Sequence, residues 1–250
     1  MKTVKSKLIL ACGLLVCAFA ATAHAARDDL TEKVTAVAEG QRITLSSAGA
    51  AVFADVVFPD AEIADAWFAT HLLQRELHFK VTGSDRYGRR VIQSDAQEAM
   101  LRDGVAVIYS FDHPPKKWQA FEDSARIAKK GIWAQPSFVL TPENAAQHKG
   151  EFHVVEGVIT RTYDAKSATY VNFGADWHTD FSITIPAKFR RGLKELLPQL
   201  KAGVRVRVRG SIYEENGPMI KVTKPEQVEI IGASDLPRPL KLPPSLRNLR

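Results

Sequence analysis

Cysteine is almost missing from this chain. Its 250 residues hold two, Cys12 and Cys17, both inside the first 25 residues. Beyond them no thiol is present to attack a substrate, close a disulfide or complete a cysteine-ligated zinc site, so stability must come from buried apolar surface. Histidine does not fill the gap. His71, His78, His113, His148, His153 and His178 include no His-x-x-x-His pair, and their spacing leads to the expectation that the protein holds no metal. There is also no glycine-rich phosphate loop, no dinucleotide fingerprint and no serine elbow. Those absences set aside nucleotide hydrolysis, hydride transfer and α/β-hydrolase chemistry. Past residue 25 no apolar run is long enough for a membrane helix.

A basic body is missing as well. The formal net charge is +6, but Lys2, Lys5 and Lys7 account for half of it. Arg238, Lys241, Arg247 and Arg250, set against Asp235, account for the rest. Residues 26–232 balance at 27 basic and 27 acidic. A neutral body excludes strong, sequence-blind nucleic-acid binding by the whole surface, because such binding needs many phosphate contacts. An anionic partner must meet a local patch.

What is present begins with three lysines, an apolar run from Leu8 to Ala20 and the small-residue site Ala23-His24-Ala25. This is the tripartite pattern of a secretory signal, cleaved after Ala25, and it predicts a periplasmic or secreted protein. A lipoprotein anchor at Cys17 is the rival, disfavoured because Val16 stands where a smaller residue is needed. The remaining chain divides near residues 134–150, which carry Pro136, Pro142 and polar turn formers. The expected organisation is a signal at 1–25, a first unit at 26–136, a linker at 137–150, a second unit at 151–232 and a basic, proline-rich tail at 233–250.

In the first unit, strands are expected at 34–37, 42–45, 50–58, 77–81, 90–93 and 105–109, with helices at 61–75, from Asp95 to Gly104, and at 116–130. The second unit reads as strands at 152–162, 169–173, 181–185, 204–212, 219–222 and 227–231, with one helix near 189–197. A lone helix between the third and fourth of five or six short strands is the order of a small Greek-key barrel.

Four short motifs then occur in order: Asp85-Arg86-Tyr87-Gly88-Arg89, Gly104-Val105-Ala106, Ala125-Arg126 and Gly131-Ile132-Trp133. Together, over about residues 32–136, they resemble the thermonuclease (staphylococcal nuclease-like) family. The resemblance implies a five-stranded oligonucleotide-binding (OB) barrel with three helices. The second unit also resembles an OB-type barrel. The expected fold class is therefore mainly β with helices (α+β), two small OB-like Greek-key barrels in tandem.

The resemblance also implies a calcium ion held by carboxylates, a glutamate base and two arginines that stabilise charge on phosphorus. Arg89 matches one arginine. The other falls on Val52 or Ala54, according to the alignment chosen. The calcium carboxylates fall on Gln41 and on Val57 or Pro59, and the base falls on Asp60 or Glu62. An oxyanion-type donor is worth about 3–4 kcal/mol in a transition state, so loss of an arginine and the metal predicts weak turnover. The catalytic remnants are Arg89, Asp60 and Glu62. Arg89 either holds a phosphate or pairs with Asp85 to fix its turn. Tyr87, Tyr109 and Phe111 stand where the family places aromatic rings beside a nucleotide, or else pack structurally.

In the second unit, Val204-Arg205-Val206-Arg207-Val208-Arg209 sends three valines to one face of a strand and three arginines to the other, about 7 Å apart. Lys188, Arg190, Arg191, Lys194 and Lys201 lie just upstream. This is either a nucleic-acid contact or a solvated barrel face paired with Glu214 or Glu229. Tyr170, Phe173, Trp177 and Phe181, with Asp176 and Asp180 between them, form either a binding platform or core. The expected function is an exported binding or scaffolding module without turnover, whose partner is single-stranded nucleic acid or another anionic polymer. The alternatives are a calcium-dependent nuclease with a rearranged site and an envelope protein-interaction module. Calcium is an expected cofactor under the nuclease alternative alone.

Overall fold

The computed structural model describes residues 29–38, 42–109, 114–176 and 178–232. The signal, Gln41, Phe111, His113, Trp177 and the tail lie outside the described residues.

The first half comprises β1 (Asp29–Ala38), β2 (Arg42–Leu45), β3 (Gly49–Phe53), β4 (Val56–Val57), α1 (Ala61–His71), β5 (Glu76–Ser84), β6 (Arg90–Ser94), α2 (Ala96–Arg102), β7 (Val107–Ile108) and α3 (Lys117–Ile127). Strands β1-β2-β3-β6-β5 close into a barrel. β3 and β6 pair parallel, and the other pairs are antiparallel. Alternation explains the wall: Leu77 and Phe79 of β5 point inward with Val34, Ile43 and Ile92, and their neighbours face out.

The second half comprises β8 (Val139–Leu140), β9 (Phe152–Val158), β10 (Arg161–Asp164), β11 (Ala168–Asn172), β12 (Ser182–Pro186), β13 (Arg205–Glu214), β14 (Pro218–Lys221) and β15 (Val228–Ile230). Their sheet runs β10-β11-β12-β14-β13-β9-β8, with β15 also on β13. β9 and β10 are two halves of one segment, interrupted where Ile159 N–H donates to the Val204 carbonyl and Thr160 N–H to that of Asn172. The pairing therefore returns on itself. Counting β9–β10 as one strand, both halves share an order of first, second, third, fifth, fourth, first, with the third and fifth parallel. This is the expected α+β class built from two OB-like units.

Three local differences from the sequence reading have physical causes. The strand expected over 50–58 is two strands, because Asp55 adopts φ 58° and turns Val56–Val57 away from the barrel to pair with β7. The helix expected near 189–197 is two 3-10 turns, Ala187–Leu193 and Leu197–Gln199. Gly192 weakens an α-helix there, and Pro198 removes a donor and clashes with the preceding turn. The segment 137–150 is packed: Phe138, Leu140 and Ala145 are buried, and β8 pairs parallel with β9.

That segment helps to join the halves. Val107, Ala125, Ile132 and Trp133 from the first half form one buried cluster with Phe138 and Val154. No helix among the described residues is long and apolar enough to cross a membrane.

Candidate functional site

The turn between β5 and β6 is built around one carboxylate. Asp85 Oδ1 accepts from the backbone N–H of Tyr87 (2.9 Å) and of Arg89 (3.0 Å), and Oδ2 accepts from Arg89 Nε at 2.6 Å. Those donors hold the Asp85 carboxyl below its ordinary pKa. Gly88 supplies the positive φ that the turn requires (76°). Tyr87 projects outward, 67% exposed, with Arg86 and Arg89 guanidinium carbons 4.8 and 5.2 Å from its ring centre. Arg89 thus has a structural partner, and a cationic, aromatic knob faces solvent beside it.

The groups that would assist Arg89 are apolar or engaged elsewhere. Val52 sits in β3 opposite Val91, and Ala54 is buried. Val57 is in β4. Three residues, Phe58 to Asp60, connect β4 to α1, and Asp60 caps that helix: Oδ1 accepts from Ile63 N–H at 2.9 Å. Oδ2 accepts from Gln135 Nε2 at 2.8 Å. The Ile63 N–H first, then Gln135, hold the Asp60 carboxyl below its ordinary pKa, which makes it a poor base. Glu62 is exposed in the first turn of α1, where negative charge suits the helix dipole. Among the described residues Asp55, Asp60 and Glu62 do not converge as a ligand cluster. The donor set offered by Val57, Asp60 and Glu62 does not fit a calcium ion, which wants six to eight oxygens.

The other motif residues meet in space. Gly104 and Gly131 lie backbone to backbone, and Ile132 N–H donates to the Gly104 carbonyl at 2.9 Å. Both have positive φ, and a Cβ on either would strike the other's strand of chain. Trp133 and Ala125 fill the seam between halves.

Residues 53–135 match the family model described as Staphylococcal nuclease homologue. This stretch is similar to a staphylococcal nuclease domain. Over 98 residues the chain is 32% identical to a protein named probable endonuclease LCL3 from Candida glabrata, covering 33% of this chain and 38% of that one. The protein of the same name from Saccharomyces cerevisiae is 30% identical over 102 residues, covering 34% and 37%. That from Komagataella phaffii is 30% identical over 90, covering 30% and 40%. The chain thus spans about two-fifths of the length of these curated relatives.

Outside the nuclease-like domain, the arginine row of β13 forms an ion ladder. Arg205 and Arg207 pair with Glu156 (3.3 and 2.7 Å), Arg207 also with Glu229 (3.1 Å), and Glu229 reaches Arg126 of α3 at 3.4 Å. Arg209 is buried, its Nη1 2.6 Å from Glu122 Oε1 and 3.1 Å from the Ile108 carbonyl. The alternation is as expected, but the arginines are covered progressively along the strand: the Arg205 side chain is 41% exposed, that of Arg207 15%, and Arg209 is buried against Glu122 of α3. Arg209 cannot reach a phosphate while that pair stands. Arg190 is also engaged, donating to Thr169 Oγ1 at 3.0 Å and to the Ala165 carbonyl. It shares no partner with the β13 ladder, so the 188–209 stretch is not one continuous patch. Lys188 and Arg191 are exposed.

Tyr109 turns toward the second half, its ring 5.2 Å edge-on from Phe152, and burial raises its pKa. Phe173 and Phe181 are core. Tyr170 is different. It stands directly across from Tyr163, and Arg161 stands across from Asn172. With Ser182, Met219, Glu215 and Asn216, these four line a cleft of about 350 Å³ on the second barrel. Tyr163 is 54% exposed, with the Arg161 guanidinium carbon 5.9 Å from its ring centre. Tyr213 flanks the cleft, its pKa pushed up to about 12 by burial and by Glu215. Sequence alternation in 161–164 and 169–172 carries this signal, but the hairpin pairing that aligns the two tyrosines does not show in it.

One further cluster joins His148, Glu151 and His153, whose ligand atoms lie within 4.8 Å of one another. The spacing His-x-x-Glu-x-His spans a turn and a strand start, so helix-based spacing rules pass over it.

Proposed function

We propose that this is an exported nucleic-acid-binding module, with single-stranded nucleic acid or a similar anionic polymer as partner and little or no phosphodiester turnover. Export rests on the pattern of residues 1–25. Lack of turnover rests on Val52, Ala54 and Val57 standing where chemistry needs cations and carboxylates, and on Asp60 serving as a helix cap.

The observation that carries the binding reading is the cross-strand pair Tyr163–Tyr170 with Arg161 at the edge of an open cleft. OB barrels meet oligonucleotides with the face of strands two and three and the loop joining strands one and two; here Tyr170 is on strand two, Ser182 on strand three, and Tyr163 and Arg161 on the end of strand one that leads into that loop. Base stacking on an aromatic is worth about 1–3 kcal/mol. The contact thereby moves from the β13 arginines, which are ion-paired, to the β10–β11 hairpin. Glu215 on the rim opposes an anion, so affinity leans on stacking with Arg161 as the main cation there. Fluorescence anisotropy with labelled oligonucleotides at two salt concentrations tests the reading. Binding that weakens with salt and falls on Tyr163→Ala is expected. Absence of binding at low salt removes nucleic acid as the partner.

A second reading, phosphodiester hydrolysis with calcium at a rearranged site, is favoured by Arg89 and by relatives named probable endonuclease. Plasmid and denatured DNA incubated with calcium or chelator distinguish the two. Chelator-sensitive cleavage abolished by Arg89→Ala would establish the second.

A further inference from the structure

His153 begins the argument. It is 8% exposed, and its Nδ1 lies 3.3 Å from the Phe138 carbonyl oxygen. A carbonyl only accepts, so this contact is a hydrogen bond when Nδ1 is the protonated nitrogen, the tautomer that leaves Nε2 free to bind a metal. The other ring nitrogen, Nε2, lies 2.8 Å from Glu151 Oε2, also an acceptor. Nε2 is thereby turned toward a carboxylate rather than toward the core. The same Glu151 oxygen lies 2.9 Å from His148 Nδ1, and the two imidazole rings are 4.5 Å apart. One carboxylate oxygen therefore sits between two imidazole nitrogens.

The backbone fixes this arrangement. Gly150 turns the chain at φ 87° between the 3-10 helix that ends at His148 and the start of β9. Its N–H donates to the Ile212 carbonyl at 2.8 Å, and Ile212 N–H donates to the Glu151 carbonyl at 3.0 Å. A hydrogen bond from His153 Nδ1–H to the Phe138 carbonyl is the outer contact that metal-bound histidines commonly make, and it would orient Nε2 toward an ion. The cluster opens on a cavity of about 410 Å³ at the seam between the halves, lined also by Asp60 and Gln135 of the nuclease-like domain.

We propose that His148, Glu151 and His153 bind one zinc-class divalent cation there. Two imidazole nitrogens and a carboxylate oxygen are the donor set that borderline first-row ions prefer. Bonds of about 2.0–2.1 Å at tetrahedral angles separate ligand atoms by about 3.4 Å, so each close contact opens by about half an ångström on metal binding. Three protein donors leave a position directed at the cavity, suited to water or an anionic ligand.

The test uses tag-free full chain, zinc titrated calorimetrically and cobalt followed by visible absorption. One equivalent bound, with a cobalt spectrum of low coordination number, is expected. Glu151→Gln and the partly exposed His148→Ala each should weaken zinc binding at least about tenfold while far-UV circular dichroism is unchanged. His153→Ala should do the same, but its buried position makes the other two variants the deciding ones. Wild-type protein that takes up no zinc saturably overturns the proposal. Uptake that survives both Glu151→Gln and His148→Ala overturns it too.

Discussion

Removing one partner of the Arg209–Glu122 pair should destabilise the whole chain by far more than a surface ion pair would. The Arg209 and Glu122 side chains are 6% and 1% exposed, with Nη1 and Oε1 2.6 Å apart. The second Glu122 oxygen accepts from Ile108 N–H at 2.7 Å, and Arg209 donates to the Ile108 carbonyl. At an effective dielectric of about 20, charge centres about 4 Å apart attract by about 4 kcal/mol, roughly offsetting the cost of drying both ions. Truncating one partner leaves the other charge buried and uncompensated, a loss of about 3–5 kcal/mol. Arg209→Met should show that loss in full. Glu122→Gln, which keeps an acceptor for Ile108 N–H, should fall at the lower end.

Relative to Arg209→Met, the double variant Glu122→Leu/Arg209→Met adds one unpaired group, the Ile108 N–H, at about 1–3 kcal/mol, and removes the stranded carboxylate charge, worth about 3–5 kcal/mol. It should therefore be more stable than Arg209→Met alone. Guanidinium denaturation at neutral pH, followed by tryptophan fluorescence, measures this. Trp118 in α3 and Trp133 at the seam are both buried reporters. A loss below about 1 kcal/mol in Arg209→Met, the worth of an exposed pair, would refute the reasoning, because the seam would then be wet and the halves not docked through β13.

Other outcomes follow from the same geometry. Asp60→Ala should cost about 0.5–2 kcal/mol at pH 7, as a lost helix cap. Because the folded carboxyl lies below its ordinary value of 3.8, its contribution is complete above that value and is lost as pH falls through the lowered one. Acid titration should therefore show the wild-type and variant curves converging, and a constant gap down to pH 2 would count against the cap. Gly131→Ala, at φ 53° and against the Gly104 carbonyl, should destabilise clearly more than Gly88→Ala, which carries a similar φ in open space. Thermal melts giving equal losses would exclude the backbone contact. Tyr163→Ala should weaken oligonucleotide binding by about five- to 150-fold, one stacked base, whereas Arg207→Gln should lower stability and leave the anisotropy titration unchanged. The reverse pattern would return the contact to β13.

Much of the fold is legible in the sequence because period-two alternation survives burial on one face. β5, β11 and β13 are all visible as alternating runs. The breaks are less visible. Nothing in Ala54-Asp55-Val56 announces a left-handed aspartate, so one strand is expected where two exist. Residues 137–150 read as a linker through Pro136 and Pro142, yet the apolar Phe138, Val139 and Leu140 between them lie against β9. Alternation also reports which face a side chain occupies but not what covers that face. The β13 arginines are on the outer side as expected, and only the docking of α3 turns the Arg209 end of that side into an interior. Pairing of Tyr163 with Tyr170, and convergence of His148, Glu151 and His153, depend on turn geometry that composition does not encode.

The residues that carry the family resemblance are, in this structure, residues the architecture needs. Asp85 closes a turn with three of its own neighbours' donors, Gly104 and Gly131 permit two backbones to touch, and Ala125 and Trp133 fill the seam. Each can be kept for packing alone, with no substrate in view. The positions that the resemblance assigns to chemistry behave differently: Val52 or Ala54 and Val57 or Pro59 are apolar, and the Asp60 carboxylate is held by Ile63 and Gln135. The two surfaces proposed for binding lie elsewhere, in a tyrosine-lined hairpin on the second barrel and a histidine–glutamate cluster at the seam. Binding measured with Tyr163→Ala and zinc uptake measured with Glu151→Gln address those two surfaces independently, since no residue named for one lines the other.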